Sequence, residues 1–264
     1  MKRYLVIGNP ISHSLSPKLH NYWLKKNNIN GIYKKKKLDE NNLKEIFSKI
    51  RKKEIMGINV TVPFKKIVIP YLDKLTTEAE YTQSVNTIYL QNNKIIGHNT
   101  DIKGFELAIK DSGYDIAEKK ILILGAGGVV PSIIFALYNM KVFGVTLCNR
   151  TKTKAENLKN LFKNLNVIDW GEKSDFDVVI NATSVGLKKG DELVLDFSYF
   201  KNCDFFYDVI YNPKKTNFLK TASKLGKKIE NGKKMFIYQA AQAFKIWHGV
   251  EPEINDEVKE ILDK

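Results

Sequence analysis

The chain has little arginine, and this shortage argues against a nucleic-acid partner. Only three of its 43 basic residues are arginine, at Arg3, Arg51 and Arg150, although arginine is the residue that contacts bases and phosphates in a bidentate manner. The net charge of +14 therefore comes from scattered lysine. We interpret the four lysines at 34–37 as a solvated strand end or loop.

Cysteine and long apolar runs are also scarce. Cys148 and Cys203 are too few for a disulfide framework and lack metal-ligand spacing, so we expect no metal and a cytoplasmic location. The opening segment MKRYLVIGNP is too short in apolar residues for a signal peptide. The twenty uncharged residues at 121–140 contain a glycine cluster and a proline, which indicate a buried strand feeding a helix, so we expect no membrane partner.

The order of strand-like and helix-like segments predicts an α/β fold with two domains. Strands are expected at 3–8, 57–62, 85–90, 95–98, 121–125, 145–149, 177–182 and 205–210. Helices are expected near 17–27 and 40–53, from about 128, 152 and 215, and as a final pair after Lys233. The alternation beyond residue 100 predicts a doubly wound parallel sheet. We expect one domain at 1–100 plus 233–264, a second at 101–232, and a cleft between them.

A glycine-rich turn in the second half predicts a dinucleotide site. In KILILGAGGVV the turn between strand and helix contains Gly125, Ala126, Gly127 and Gly128. Backbone N–H groups can approach a pyrophosphate closely there. At the next strand end, where an NAD enzyme places a carboxylate, the chain instead has Asn149, Arg150, Thr151, Lys152 and Lys154. Cations in place of the acid favour NADP over NAD.

The segment GINVTVPFKK places a lysine beyond a strand end. Pro63 cannot donate to a ladder, so the strand ends there and Lys65 follows its carboxyl end, where ligands bind in α/β proteins. Asp101 lies where a later strand gives way to a helix, and N-capping is its ordinary explanation. The alternative is a carboxylate facing Lys65, which would hold and tune a proton donor.

The segment GNPISHSLSPKLHNYW predicts a helix start with an anion site. Ser16 followed by Pro17 is typical of an N-cap and first helical position. Ser14 is not needed for that cap, so the two hydroxyls beside a positive helix end predict a carboxylate site. His13 and His20 we interpret as structural or surface residues, because no metal set surrounds them.

Two polar residues near the carboxyl terminus are further candidates. Tyr211 follows a strand end in the domain predicted at 101–232. Gln239 lies in a helix beside Ala240, Ala241 and Ala243, and these small neighbours indicate close packing. We therefore expect Gln239 to face a hydrogen-bonding group.

Nine segments, spread over nearly the whole chain and in the family's order, resemble the shikimate dehydrogenases. They are GNPISHSLSP, NVTVPFK, VNT, NTD, GAGG, NRT, NATSVG, DVIYNP and QAAQAF. The resemblance implies an N-terminal substrate domain and a Rossmann-type NADP domain. It also implies reversible, NADP-dependent reduction of 3-dehydroshikimate to shikimate. We expect a monomer or a homodimer.

The resemblance also implies residue roles. Ser14 and Ser16 would bind the substrate carboxylate, and its hydroxyls would contact Thr61, Asn86 and Gln239. Lys65 and Asp101 would form the catalytic pair, with Tyr211 lining the same pocket. The cofactor phosphates would be bound by Gly127, Gly128, Asn149, Arg150 and Thr151.

Two departures from the family pattern leave alternatives open. The family has Gly-Leu-x-Met where this chain has Gly232, Lys233, Lys234 and Met235, and Val130 occupies a position usually held by Gly or Ala. The alternatives are a quinate/shikimate dehydrogenase of broader specificity that could use NAD, and an NADP-binding regulator without turnover. A nucleic-acid binder is the third.

Overall fold

A computed structural model describes residues 1–188 and 190–263. Contacts between α-carbons divide the chain into two compact units. Unit 1 contains Met1–Asp101 together with the chain from Ile237 onward, and unit 2 is Ile102–Phe236. Each unit contains one six-stranded sheet.

The strands are numbered in chain order. They are β1 Lys2–Gly8, β2 Gly31–Lys37, β3 Gly57–Val60, β4 Lys74–Leu75, β5 Thr87–Gln91, β6 Lys94–His98, β7 Lys120–Leu124, β8 Gly144–Cys148, β9 Asn166–Ile168, β10 Val178–Asn181, β11 Phe205–Asp208 and β12 Lys228–Asn231.

The α-helices are numbered in the same way. They are α1 Ser16–Lys26, α2 Leu43–Arg51, α3 Phe64–Ile67, α4 Thr77–Thr82, α5 Asp101–Asp111, α6 Val130–Asn139, α7 Lys152–Glu156, α8 Asn217–Lys224, α9 Lys233–His248 and α10 Asp256–Asp263. No helix within residues 1–188 and 190–263 is long and apolar enough to cross a membrane.

The sheet of unit 1 is mixed, in the order β2-β1-β3-β5-β6-β4. Its strands β1, β2 and β3 are parallel, and β5 runs antiparallel to β3 and β6. The adjacent strands β5 and β6 form a hairpin. Asn92 and Asn93 form its turn with φ of 50° and 60°, a left-handed conformation that asparagine tolerates well.

Both faces of this sheet are covered. Helix α2 presents Leu43, Ile46, Phe47 and Ile50, at helical spacing, to the apolar core on one face. The opposite face carries an aromatic cluster that we define as Tyr4, His20, Trp23, Tyr33, Phe244 and Trp247. Full burial of one such large side chain contributes about 1.5–3 kcal/mol. Trp23 Nε1 also donates to the Glu253 carbonyl at 3.0 Å, just before α10.

Two local predictions in unit 1 are wrong. Strand β3 ends at Val60, and Val62 lies in the following turn with 56% of its surface exposed. Ser16 is also not the N-cap of α1: that position is held by Leu15, and Ser16 lies in the first turn. The Ser14 hydroxyl oxygen accepts the Ser16 backbone N–H at 3.3 Å, so Ser14 is used at this helix start after all.

The sheet of unit 2 confirms the doubly wound prediction. Its strands are all parallel and are ordered β12-β11-β10-β7-β8-β9. The chain enters the sheet at the central strand β7 and continues outward through β8 and β9. It then crosses to β10, which lies on the other side of β7. In sheets of this kind the carboxyl ends of the central strands form the ligand site.

Candidate active site

Lys65 and Asp101 meet in unit 1. Lys65 is the second residue of α3, directly after the β3 turn, and Asp101 begins α5. Lys65 Nζ lies 2.5 Å from Asp101 Oδ2, and the two side chains are only 13% and 9% exposed. An ion pair so well shielded from water is stronger than one on the surface. The arrangement can hold an ammonium group in one place as a proton donor.

Asn86 fixes the other oxygen of Asp101. Asn86 Nδ2 donates to Asp101 Oδ1 and to Thr100 Oγ1, each at 2.9 Å. Asn86 Oδ1 in turn accepts the Thr100 backbone N–H at 2.8 Å. Because both ends of this buried amide are engaged, its orientation is set, and the carboxylate has a donor on each oxygen.

The remaining predicted substrate residues of unit 1 have varied surroundings. Ser16 is buried, whereas Ser14, Thr61 and Gln239 are partly exposed. Thr61 donates its N–H to the Ile7 carbonyl at 2.9 Å, which holds the turn after β3 against the end of β1. Ala240 and Ala243, which follow Gln239 in α9, are fully buried. The close packing predicted for this part of the helix is therefore present.

Tyr211, the remaining predicted substrate residue, lies in unit 2. It follows β11 and stacks on Phe236 with ring centroids 4.7 Å apart. Burial raises the pKa of its phenol to about 12, so Tyr211 is a hydrogen-bonding group that stays protonated. Gly232, before α9, lies against the same segment: a Cβ there would come within 1.9 Å of the Val209 carbonyl oxygen.

The glycine turn of unit 2 has the geometry of a phosphate-binding loop. Gly125 has φ of +107°, and a Cβ on it would lie 2.9 Å from the Ala182 carbonyl oxygen. Its N–H donates to the Cys148 carbonyl at 2.8 Å, which ties the turn to β8. Gly127 and Gly128 are exposed just before α6. Because glycine has no side chain, a pyrophosphate can approach the backbone closely at this helix N-terminus.

The cationic segment after β8 also fits its predicted ligand. Asn149 Nδ2 donates to the Thr151 carbonyl at 2.7 Å, and Lys152 pairs with Asp169 at 2.9 Å. Arg150 and Lys154 are exposed, and within residues 1–188 and 190–263 neither has an ion-pair partner. Two unpaired cations and no acid at 149–151 suit a phosphate monoester such as that of NADP.

The structure also accounts for one departure from the family pattern. Lys234 Nζ lies 3.1 Å from Glu230 and 3.3 Å from Asp111, so two carboxylates offset its charge. The Lys233 backbone N–H donates to Asn231 Oδ1 at 3.0 Å. Val130 is fully buried at the start of α6. Lys234 is therefore not an unbalanced charge.

Sequence reasoning missed the polar residues behind the Lys65–Asp101 pair. Tyr33, Asn59 and Thr87 are buried and hydrogen-bonded to one another in a line towards Asn86. Their only signal in the sequence is a polar side chain at a position that a central or half-buried strand would fill with an apolar one. Among the described residues no cluster of three or more His, Cys, Asp or Glu side chains could hold a metal.

A doubly wound sheet with a glycine turn and unpaired cations, in a chain that also contains a buried Lys–Asp pair, defines a dehydrogenase of the dinucleotide-binding α/β class. Comparison with known proteins makes this assignment specific. Residues 6–88 match the family model of the shikimate dehydrogenase substrate binding domain. Residues 106–188 match that of shikimate/quinate 5-dehydrogenase, and residues 234–256 that of the shikimate 5'-dehydrogenase C-terminal domain.

Relatives agree over the full length of the chain. A protein of Pelagibacter ubique named shikimate dehydrogenase (NADP(+)) is 55% identical over 262 residues, covering 99% of both chains. The Thermus thermophilus enzyme, solved with NADP(H) and shikimate, is 31% identical with a TM-score of 0.91, covering 100% of this chain and 99% of that one. The Listeria monocytogenes enzyme, solved with shikimate and NAD, is 30% identical with a TM-score of 0.90, covering 99% and 96%. This chain belongs to the shikimate dehydrogenase family.

Proposed function

We propose that this protein catalyses the reversible, NADP-dependent reduction of 3-dehydroshikimate to shikimate. The 55% identity to a relative named for this activity supports the reaction. The single observation that carries the mechanism is the shielded contact between Lys65 and Asp101, with Nζ and Oδ2 2.5 Å apart. A regulator without turnover would not need such a pair.

In this proposal Lys65 is the proton donor. NADPH, when bound, supplies the hydride to the carbonyl carbon of the substrate. As the carbonyl oxygen gains negative charge, the Lys65 ammonium gives it a proton, and the oxygen becomes the alcohol. In the oxidative direction Lys65 accepts the same proton. Asp101 holds Lys65 in place by an ion pair, and Asn86 fixes the carboxylate from its other oxygen.

Substrate binding is assigned to the polar residues around this pair. We place the carboxylate at Ser14 and Ser16, where a helix N-terminus adds partial positive charge. The ring hydroxyls are assigned to Thr61, Asn86 and Gln239. Tyr211, in unit 2, stays a predicted substrate residue. The cytoplasmic location and the monomeric or homodimeric state stay predictions.

Cofactor binding is assigned to two segments of unit 2. The turn of Gly125, Ala126, Gly127 and Gly128 would bind the pyrophosphate through its N–H groups. Arg150 and Lys154 would bind the 2'-phosphate, with Asn149 and Thr151 positioned beside it. These cations favour NADP over NAD.

A spectrophotometric assay tests the proposal. The purified protein is incubated with shikimate or quinate, each with NADP or NAD, and the reduced nicotinamide is followed. We expect rapid reduction only with shikimate and NADP. Comparable quinate turnover, or a preference for NAD, would identify the broader enzyme instead. If no substrate and cofactor pair gives reduction while folding and NADP binding are intact, the alternative of an NADP-binding regulator without turnover is favoured.

A further inference from the structure

A line of hydrogen bonds runs through the interior of unit 1 and ends on Asp101. It starts at Tyr33 on β2, whose phenol donates to Asn59 Oδ1 at 2.7 Å. Asn59 Nδ2 donates to Thr87 Oγ1 at 3.1 Å. Thr87 Oγ1 donates to Asn86 Oδ1 at 3.0 Å. Asn86 Nδ2 then donates to Asp101 Oδ1, so the line joins strands β2, β3 and β5 to the first residue of α5.

Every donor in this line points the same way. The last acceptor is a carboxylate, which when ionised only accepts, whereas Asn59, Thr87 and Asn86 each accept from one neighbour and donate to the next. Hydrogen bonds arranged in one direction polarise one another and strengthen the chain. The Asn59 amide is held from both ends, because Tyr33 donates to its oxygen and Thr87 Oγ1 accepts from its nitrogen. The same nitrogen also reaches the Asn86 carbonyl, at 3.1 Å.

The line is shielded from water. Tyr33 is 1% exposed and Thr87 0%, and Asn59 and Asn86 are buried as well. The Tyr33 ring is fixed by a parallel stack on His20, with centroids 4.2 Å apart. Burial and the stack together hold the phenol of Tyr33 in one place at the start of the line.

We propose that Tyr33 is a positioning residue for the Lys65–Asp101 pair, acting through Asn59, Thr87 and Asn86. The inference rests on the proposed function, because it concerns the rate of that reaction. Without the phenol hydroxyl, Asn59 Oδ1 would be a buried acceptor with no donor. The Asn59 amide would then be held by its nitrogen alone, on Thr87 Oγ1 and the Asn86 carbonyl. Thr87, and with it the donor that it gives to Asn86 Oδ1, would be less firmly placed, while Asn86 would keep its bonds to Thr100.

Tyr33→Phe tests this directly, since it keeps the ring and its stack and removes only the hydroxyl. Tyr4→Phe is the matched control. Tyr4 lies beside Tyr33 on β1, in the same aromatic cluster, and is equally buried, but has no bond to Asn59. We expect Tyr33→Phe to lower kcat for shikimate oxidation about tenfold, within the range of lost positioning, with KM for NADP unchanged. Tyr4→Phe should stay within about twofold of the wild type.

A double-mutant cycle separates positioning from general destabilisation. If Tyr33 acts through the pair, Tyr33→Phe should have no further effect on kcat in a Lys65→Ala background. A purely structural role would lower kcat by the same factor in both backgrounds. That result, or a wild-type kcat in folded Tyr33→Phe, would overturn the inference.

A second variant covers the case in which Tyr33→Phe does not fold. Thr87→Val is nearly isosteric and interrupts the same line one step closer to Asn86. It should give the same loss of kcat and the same lack of effect in the Lys65→Ala background, and an unchanged kcat would overturn the inference. Failure of the proposed function is distinguishable, because the wild type itself would then not oxidise shikimate with NADP.

Discussion

The Lys65–Asp101 pair of unit 1 and the cations Arg150 and Lys154 of unit 2 use charge in opposite ways. The first is shielded, and each charge has a partner within hydrogen-bonding distance. In the second, Arg150 and Lys154 are exposed to solvent. A group that stabilises charge during reaction works best when it is fixed in advance in a dry site. A group that binds an exchangeable phosphate must be reachable, and exposed cations achieve this.

Removing the charge of Asp101 should have the largest effect of four changes that sharpen this contrast. Asp101→Asn takes away the partner of the Lys65 ammonium in a site where water cannot replace it. We expect kcat to fall on the order of 10²-fold, with little change in KM for NADP, measured by steady-state kinetics. Asp115→Asn, at an exposed position just beyond the same helix, is the control and should stay close to wild type, because an amide oxygen can still accept the Ala117 N–H. Equal kcat values for the two variants would contradict the account.

Changing the cations of unit 2 should affect affinity and leave the chemical step intact. Arg150→Ala combined with Lys154→Ala removes two charge-assisted contacts, so KM for NADP should rise about 10- to 100-fold. The KM for NAD, which lacks the 2'-phosphate, should change little. Lys152→Ala is the matched control, because Lys152 already pairs with Asp169. A double variant that still prefers NADP as strongly as the wild type would refute this assignment.

A close backbone contact in unit 2 should matter for stability. Gly232→Ala would force a methyl group against the Val209 carbonyl, so the segment before α9 must shift, at a cost of about 1–3 kcal/mol. Thermal unfolding should show a Tm lower by several degrees. Gly144→Ala provides the control, since a Cβ there meets nothing within 4 Å. Equal Tm values for both variants would show that the contact is relaxed at no cost.

Acid should destabilise unit 1 through two histidines, the buried His20 and the half-buried His248. Burial lowers the pKa of His20 to about 3 and that of His248 to about 4. Both are neutral in the folded state, whereas the unfolded chain binds protons below about pH 6.5. The stabilisation is therefore complete above that pH and is lost as the pH falls towards 3–4. For His20 alone we expect a loss on the order of 2 kcal/mol between pH 6.5 and 4.5.

Urea unfolding at a series of pH values measures this effect. His20→Phe keeps an aromatic ring in the cluster and removes the titrating group, so its free energy of unfolding should fall less steeply with acid. His13→Gln, at an exposed position, should follow the wild type. Parallel curves for His20→Phe and wild type would exclude His20 as the source of the acid sensitivity.

The limits of sequence-based prediction follow the position of each strand in its sheet. All eight predicted strands are present, and within the described residues the four that were missed, β2, β4, β9 and β12, are the sheet edges. An edge strand pairs on one side only and can carry polar or charged residues, so it lacks the apolar pattern that identifies a strand. The lysines of β2 were accordingly interpreted as a strand end or loop.

For the site, local motifs identified residues but not their contacts. The turn after β3 and the start of α5 are each recognisable, yet their sequence spacing does not show that Lys65 reaches Asp101. The line from Tyr33 to Asn59 depends on the pairing of β1 with both β2 and β3, which no single segment encodes. Ser16 was misplaced by one residue because Ser14, not Ser16, accepts the first free N–H of the helix.

The most direct test of the account is kcat for shikimate oxidation by Lys65→Ala, measured beside Lys66→Ala. The two lysines are neighbours in α3, but Lys66 is exposed and has no part in the pair. We predict that Lys65→Ala binds shikimate like the wild type and loses on the order of 10²- to 10⁴-fold in kcat, whereas Lys66→Ala turns over normally. A wild-type kcat in Lys65→Ala would contradict the assignment of Lys65 as the proton donor.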